Sequence, residues 1–488
     1  MTHPTPSESP TPAPLSVGDV FETAITKLVT GGAGLGRSPD GLAAFVAGTA
    51  AGDTVRARVT RRRKGFLEAG LVEVIVPSAD RVEPPLGELG SLSGCDLQHL
   101  SVEAQLRAKT EIVRDCLARI AGLEVGERLQ EPVPAGPALG YRNKVRLWRT
   151  PAGPYGMLRH DSHEVLPIER HGLMPDAFND DVLPFVVTLP PADQVVIRMD
   201  HQGRFLVSLF GEPDRARMLK AVLKKLPEGE APHPRCLGIL YNNRPLWGRD
   251  HLVIQLAGRT YRVHATSFFQ TNYAETEAAV ALVRGWLDEA GVTASAPGGA
   301  LLDLYAGVGL FSLALDDRFA RTIAVESDAG AVRDARNNVK RDRAAAARTA
   351  VLDVPVEKAV LSWKTGDPAD QPGNAGDPAG ALDWAATTVV VDPPRTGLGE
   401  QVAKDLAALG PARVLYMSCD PATFARDVKT LGEGGYALKR ARGIDMFPMT
   451  GHIEVLGELA LKRSAGGDRR RPLPRCSSPY RRVTGTGS

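Results

Sequence analysis

From residue 16 to 77, apolar and polar positions alternate in short runs: "VFETAITKLV", "GLAAFVAGTA", "DTVRARVTRRRKGFLEAGLVEVI". Glycine-rich turns separate them. Short alternating runs at this spacing predict a small β-barrel. The "GGAGLG" at 31–36 has no strand–loop–helix setting, so tight β-turns are expected there, not a dinucleotide loop. Over residues 78–265 one helical stretch, "SVEAQLRAKTEIVRDCLARIAG", stands among strand-like runs such as "YRNKVRLWRT", "QVVIRMD", "RFLVSLFG" and "HLVIQLAGRTYRVH". That mixture predicts an α+β domain. From 266 to 463, helical stretches alternate with wholly apolar runs: "ALLDLYAG", "TIAVES", "TTVVVDPP", "RVLYMSCD". Strands of that kind are buried on both faces, as in a parallel α/β sheet. The expected fold is therefore multidomain α/β, with an N-terminal barrel, a central α+β domain and a Rossmann-like C-terminal domain. The Pro/Ser/Thr-rich residues 1–15 and the Arg/Ser/Pro/Gly-rich residues 464–488 read as disordered ends, and "TGDPADQPGNAGDPAGAL" (365–382) as a flexible surface insertion.

A chain of 488 residues with 43% hydrophobic content has ample material for several cores. Its net charge of only +2 gives no global affinity for polyanions, so any nucleic-acid surface must come from local clustering. Such a cluster exists: Arg56, Arg58, Arg61, Arg62, Arg63 and Lys64 lie on one predicted strand and turn, with no acid among them. It is either a solvated edge or an RNA phosphate-binding face. The five cysteines are scattered and odd in number, which fits a reducing compartment and no disulfide framework. No signal-peptide pattern and no apolar run of membrane-spanning length occurs, so a cytoplasmic, monomeric protein is expected.

"LLDLYAGVGLFSLAL" (301–315) reads as a buried strand, a Gly307-Val308-Gly309 turn and a helix. Glycines there let the backbone approach a ligand. Asp303 ends the strand, and Glu326 ends the next, where an acid can bind ribose hydroxyls. The pattern lacks the third glycine of the dinucleotide fingerprint and resembles the S-adenosylmethionine loop of class I methyltransferases. Asp353, after the third strand, is either an adenine contact or a helix N-cap. "VVVDPPRTGLG" (389–399) puts Asp392 and Arg395 at the carboxyl edge of the fourth strand, in a loop stiffened by two prolines.

The fifth strand ends at Cys419. Asp420 suits an N-cap and Pro421 suits N1, so a helix is predicted to begin there. The positive end of that helix is expected to lower the thiol pKa and make Cys419 a nucleophile.

With "FFQTN" (268–272), "DLYAGVGLFSL" (303–313), "VDPPRTGL" (391–398), "SCDPATFARD" (418–427) and "DMFPMTGHIEVL" (445–456) in this order, the chain resembles the RNA uracil-C5 methyltransferase family. Its N-terminal segment resembles the TRAM domain, and "GCDLQHLSVEAQLRAK" and "GYRNKVRL" resemble the family's central domain. The resemblance implies S-adenosylmethionine as cofactor, RNA as partner, Cys419 as the nucleophile toward uracil C6 and Glu454 as the base that removes the C5 proton. It implies Gln270, Tyr305, Glu326 and Asp392 at the cofactor site, with Asp392 also near the target uracil, and Phe268 and Phe269 either around a flipped base or in the core. The TRAM-like barrel favours ribosomal over transfer RNA. The competing readings are a small-molecule or cytosine methyltransferase on the same fold, opposed by "FFQTN" and the "DMFP…HIE" stretch, and an inactive RNA-binding protein, opposed by the intact Cys419 and Glu454. The chain departs from the family pattern at Ala306, Met449 and Gly451. Part of the family binds an iron–sulfur cluster through a C-x5-C-G-G-C run and a distant fourth Cys. Here those positions fall on Leu86, Leu92, Cys95 and near His171, so no cluster and no metal site are expected, with Leu86, Leu89 and Leu92 filling the space.

Overall fold

The computed structural model describes residues 14–87, 94–133, 136–159, 163–227, 229–366 and 382–462. The expected insertion, apart from its margins, and the basic tail lie outside these, as do Leu89 and Leu92. In the N-terminal unit, six strands from Val20–Ala24 to Phe66–Val76 form one mixed sheet. Along Thr54–Arg62, Val55, Ala57 and Val59 point into a core with Phe21, Val46 and Leu67, so Arg56 and Arg58 must point out. The basic cluster is less free than its sequence suggests. Neighbouring strands and loops bring acids to it: Arg56 pairs with Glu22 and Glu73, Arg61 and Arg63 with Glu68, and Arg62 with Asp40. Arg58 and Lys64 have no carboxylate partner among the described residues. The glycine turn meets the C-terminal domain: a β-carbon on Gly451 would stand 2.6 Å from the Gly31 carbonyl carbon. Gly451, one of the departures noted above, is therefore required by the docking of the barrel.

The central sheet has seven strands between Lys144–Arg149 and Arg244–Gly248, with Val145, Leu147, Val195 and Ile197 on its core face. Several other parts of residues 78–265 pack with the C-terminal domain instead. Helix Val102–Ala121 carries Val113 and Leu117 into the same core as Val389, Tyr416 and Phe424. Strand Leu129–Val133 adds in parallel to the edge of the C-terminal sheet beside Tyr436–Ile444. The hairpin His251–Leu256/Arg259–His264 buries Leu252, Ile254 and Tyr261 with Phe311 and Leu415. An amphipathic pattern shows that a face will be buried, but not against which partner.

The C-terminal sheet runs, in spatial order, Thr349–Asp353, Phe319–Glu326, Gly298–Leu304, Thr387–Val391, Arg413–Ser418, Glu454–Leu461, Tyr436–Ile444 and Leu129–Val133. The first five are parallel, and Glu454–Leu461 is antiparallel to its two neighbours. Strand order reverses at Gly298–Leu304, so a crevice opens at the carboxyl ends of that strand and its neighbours.

Of the positions expected at the cluster cysteines, Leu86 and Cys95 are described, and both belong to one apolar cluster. Leu86 Cδ2 lies so close over Gly172 that no β-carbon would fit. Cys95 packs with Leu173 and Met449, its thiol pushed up to about 11 by burial. His171 is buried, held down to about 4, and its Nδ1 accepts the Leu173 amide. Among the described residues no helix is long and apolar enough to cross a membrane.

Candidate active site

Every strand tip at the switch point carries a chemically competent side chain. After Leu304 the chain turns through Tyr305 (φ 62°), Gly307 (φ 57°) and Gly309 (φ 89°). Three left-handed residues in five fold the loop back over the sheet edge. There the Gly307 amide donates to Glu326 Oε2 (2.9 Å), while Glu326 Oε1 accepts the amides of Ser327 and Asp328. Glu326 is thus fixed at the tip of the second strand. Asp353 lies across from it in register and makes a long contact with Arg336 (3.8 Å). It is not an N-cap: the next helix, Val356–Thr365, is capped at Pro355 without a side-chain bond. Asp303 is buried, and its Oδ2 accepts both the amide (2.7 Å) and hydroxyl of Ser312. That makes it a fastener of the loop, behind the surface a ligand would touch. Tyr305 hydrogen-bonds to Glu357, and burial with that neighbouring carboxylate raises its pKa.

On the other side, Gln270 Nε2 donates to Asp392 Oδ2 (3.3 Å). Gln270 is held by a residue the sequence reading missed: Asn143 donates its amide to Thr271 O (2.9 Å) and Nδ2 to Gln270 O (3.0 Å). Phe269 lies in the core beside Tyr261 and Tyr273, whereas Phe268 is 66% exposed. Asp392 borders the cleft but lies deep enough that burial, with Asp303 adding repulsion, pushes it up to about 7. Asp303 is likewise pushed up to about 7 by burial.

Cys419 follows Ser418, whose register partner is Val455, so Cys419 and Glu454 stand at one edge of neighbouring antiparallel strands. The helix Pro421–Glu433 begins as expected, with Asp420 Oδ1 accepting the Thr423 amide (2.8 Å). Its effect on the thiol does not follow the expectation. Burial and then the Glu454 carboxylate, joined by Asp392, raise Cys419 to about 11 against the pull of Arg395. Two acids and desolvation outweigh one helix end, whose field amounts to about half a charge. Glu454 is buried, Oε2 has no hydrogen-bond partner among the described residues, and burial with Asp392 raises it well above the ordinary carboxylate range. The loop that leads to Glu454 is tied down from a distance. Lys109, in the helix Val102–Ala121, bonds Asp445 Oδ1 (2.6 Å) and Phe447 O (3.1 Å), with both charged side chains fully buried. A lysine in a helical pattern reads as solvated, so nothing local to Lys109 signals this pairing.

Residues 247–463 match the tRNA (uracil-5-)-methyltransferase family model and residues 14–72 the TRAM domain. An uncharacterized RNA methyltransferase of Streptomyces coelicolor is 31% identical over 92% of this chain and 95% of its own length. One from Streptomyces avermitilis is 32% identical over 91% and 98%. The chain belongs to the RNA uracil-C5 methyltransferase family. This methyltransferase also resembles the crystal structure of Pyrococcus abyssi tRNA (uracil-54, C5)-methyltransferase in complex with S-adenosyl-L-homocysteine. The TM-score is 0.62 at 24% identity, over 90% of this chain and 99% of that one, and the likeness is one of fold.

Proposed function

We propose that the protein methylates C5 of a uridine in RNA, with Cys419 as nucleophile and Glu454 as base. The observation that carries this reading is the pairing of a half-buried thiol and a buried, partnerless carboxyl oxygen at one sheet edge, beside Gln270 and Asp392. A β-carbon on Gly307 would meet nothing within 4 Å, so there is open ground beside Glu326 for a nucleoside. That ground fits S-adenosylmethionine, which supplies an electrophilic methyl group. The Cys419 thiolate adds to C6, and the displaced electron pair makes C5 the nucleophile that accepts the methyl group. Glu454 then takes the C5 proton, the C5–C6 double bond re-forms, and the S–C6 bond breaks to return the thiolate. Once ionised, a carboxylate whose pKa burial has raised is a stronger base than a free one, which suits removal of the C5 proton. A uridine in folded RNA must leave its stack to reach the thiol.

On the barrel, Arg58 and Lys64 are the proposed phosphate contacts. Arg56, Arg61, Arg62 and Arg63 can join only by opening exposed ion pairs, which are weak. The TRAM domain supports ribosomal RNA as the target, and mapping the modified uridine tests that against transfer RNA. Methyl transfer to total RNA followed by nucleoside analysis tests the proposal. Wild type should yield 5-methyluridine, Cys419→Ala none, and Glu454→Gln a methylated protein–RNA adduct. Normal product from the Ala variant would refute the mechanism.

A further inference from the structure

The strand Lys144–Arg149 carries a surface that the active site does not use. Val145 and Leu147 point into the central core, so Lys144, Arg146 and Trp148 share the opposite face. Lys144 and Trp148 are half-buried and Arg146 is exposed. The antiparallel partner strand sets Arg198 directly across from Lys144 and Val196 across from Arg146. Arg198 is 3% exposed, and its Nη2 donates to Ser267 O (2.6 Å), while Nε and Nη1 have no hydrogen-bond partner among the described residues. Among the described residues no carboxylate forms an ion pair with Lys144, Arg146 or Arg198. Two other guanidinium groups of low exposure are matched: Arg262 meets Asp250 and Asp334, and Arg440 meets Glu289 and Glu458. Asp334 reaches Arg198 only through space, so three neighbouring cations, one buried and one half-buried, without an ion-pair partner are costly unless an anion completes them. The strain is visible at Lys144, whose ammonium is drawn down to about 8 by burial, Arg198 and Arg146.

The surface is also well placed. Asn143, which clasps Gln270 and Thr271, immediately precedes Lys144, so the strip starts at the candidate active site and runs away from it. Lys144 to Trp148 spans about 13 Å at ~3.3 Å per residue. Trp148 packs into none of the apolar cores formed by the described residues. Alternating cations and an aromatic on one face of a strand match a nucleic-acid strand, with phosphates on the cations and a base on the ring.

We infer that Lys144, Arg146 and Trp148, backed by Arg198, form a subsite for single-stranded RNA flanking the target uridine. The inference rests on RNA being the substrate, and it is tested by binding instead of turnover. The probe is a labelled single-stranded RNA of about 15 nucleotides, followed by fluorescence anisotropy over a range of salt concentrations. Trp148→Ala should raise Kd roughly tenfold. The double variant Lys144→Met/Arg146→Met should flatten the slope of log K against log salt by about 1.4, some 0.7 per phosphate contact. Arg146→Glu, on an exposed side chain that folding does not need, should weaken binding further than Arg146→Met. S-adenosylhomocysteine affinity should be unchanged in all of them. Folded variants with wild-type RNA affinity and salt slope would overturn the subsite. If wild type binds this RNA through these residues but makes no 5-methyluridine, the subsite stands and the proposed activity falls. Normal turnover with unaltered binding in the variants would remove the subsite alone.

Discussion

Lys109→Met would leave a charge stranded under the active-site loop. Asp445 Oδ2 already lacks a partner, and the substitution removes the 2.6 Å bond to Oδ1. Both side chains are fully buried, so water does not replace the lost partner. Breaking such a pair from one side costs about 3–5 kcal/mol. The pair itself is worth far less. Burial draws the Lys109 ammonium down even though Asp445 pulls it up, so desolvation exceeds the attraction. Replacing both residues by apolar ones should therefore be nearly neutral. Urea unfolding of Lys109→Met, Asp445→Leu and the double variant forms a double-mutant cycle. The Met variant should lose about 3–5 kcal/mol, the Leu variant a similar amount, and the double variant under about 2. Because Asp445 heads the loop to Glu454, the single variants should also lose methyl transfer, with partial recovery in the double. Additive losses, or single losses below about 1 kcal/mol, would refute the picture of an isolated buried pair.

The pH dependence of alkylation of Cys419 by iodoacetamide follows from its raised thiol. Deprotonation creates the reactive form, so the rate should climb about tenfold per pH unit from neutrality toward about 11; a plateau below pH 8 would mean that the helix end prevails after all. Gly451→Ala should push the Gly31 backbone away and cost about 1–3 kcal/mol of barrel docking. It should be seen as an earlier barrel transition in hydrogen exchange and a higher KM for RNA; unchanged protection around Gly31 would contradict the contact.

Local chemistry carried the reading from sequence to structure furthest. The Asp420–Pro421 helix start, the Gly307–Gly309 turn and the alternation along Thr54–Arg62 are set by neighbours a few residues apart, and each is found as expected. The failures all involve partners distant in sequence. Glu22, Glu73, Glu68 and Asp40 came to the arginines from other elements. Burial, with Glu454 and Asp392 brought up from other strands, reversed the expected shift of the Cys419 thiol. Helix Val102–Ala121 and strand Leu129–Val133 joined a sheet more than a hundred residues away. Asp303 and Asp353 show the same limit at the site, since a carboxylate at a strand end can serve the loop, a neighbouring arginine or a ligand.

The central claim is that Cys419 bonds covalently to C6 of a uracil in RNA. RNA transcribed with 5-fluorouridine tests it directly, because fluorine at C5 cannot leave as a proton and the adduct cannot resolve. Incubated with S-adenosylmethionine, the wild-type protein should form a denaturation-resistant complex with this RNA. Peptide mass spectrometry should place the methylated fluorouridine on Cys419, and Cys419→Ala should form no complex. A complex retained in the Ala variant, or a modified peptide lacking Cys419, would contradict the account.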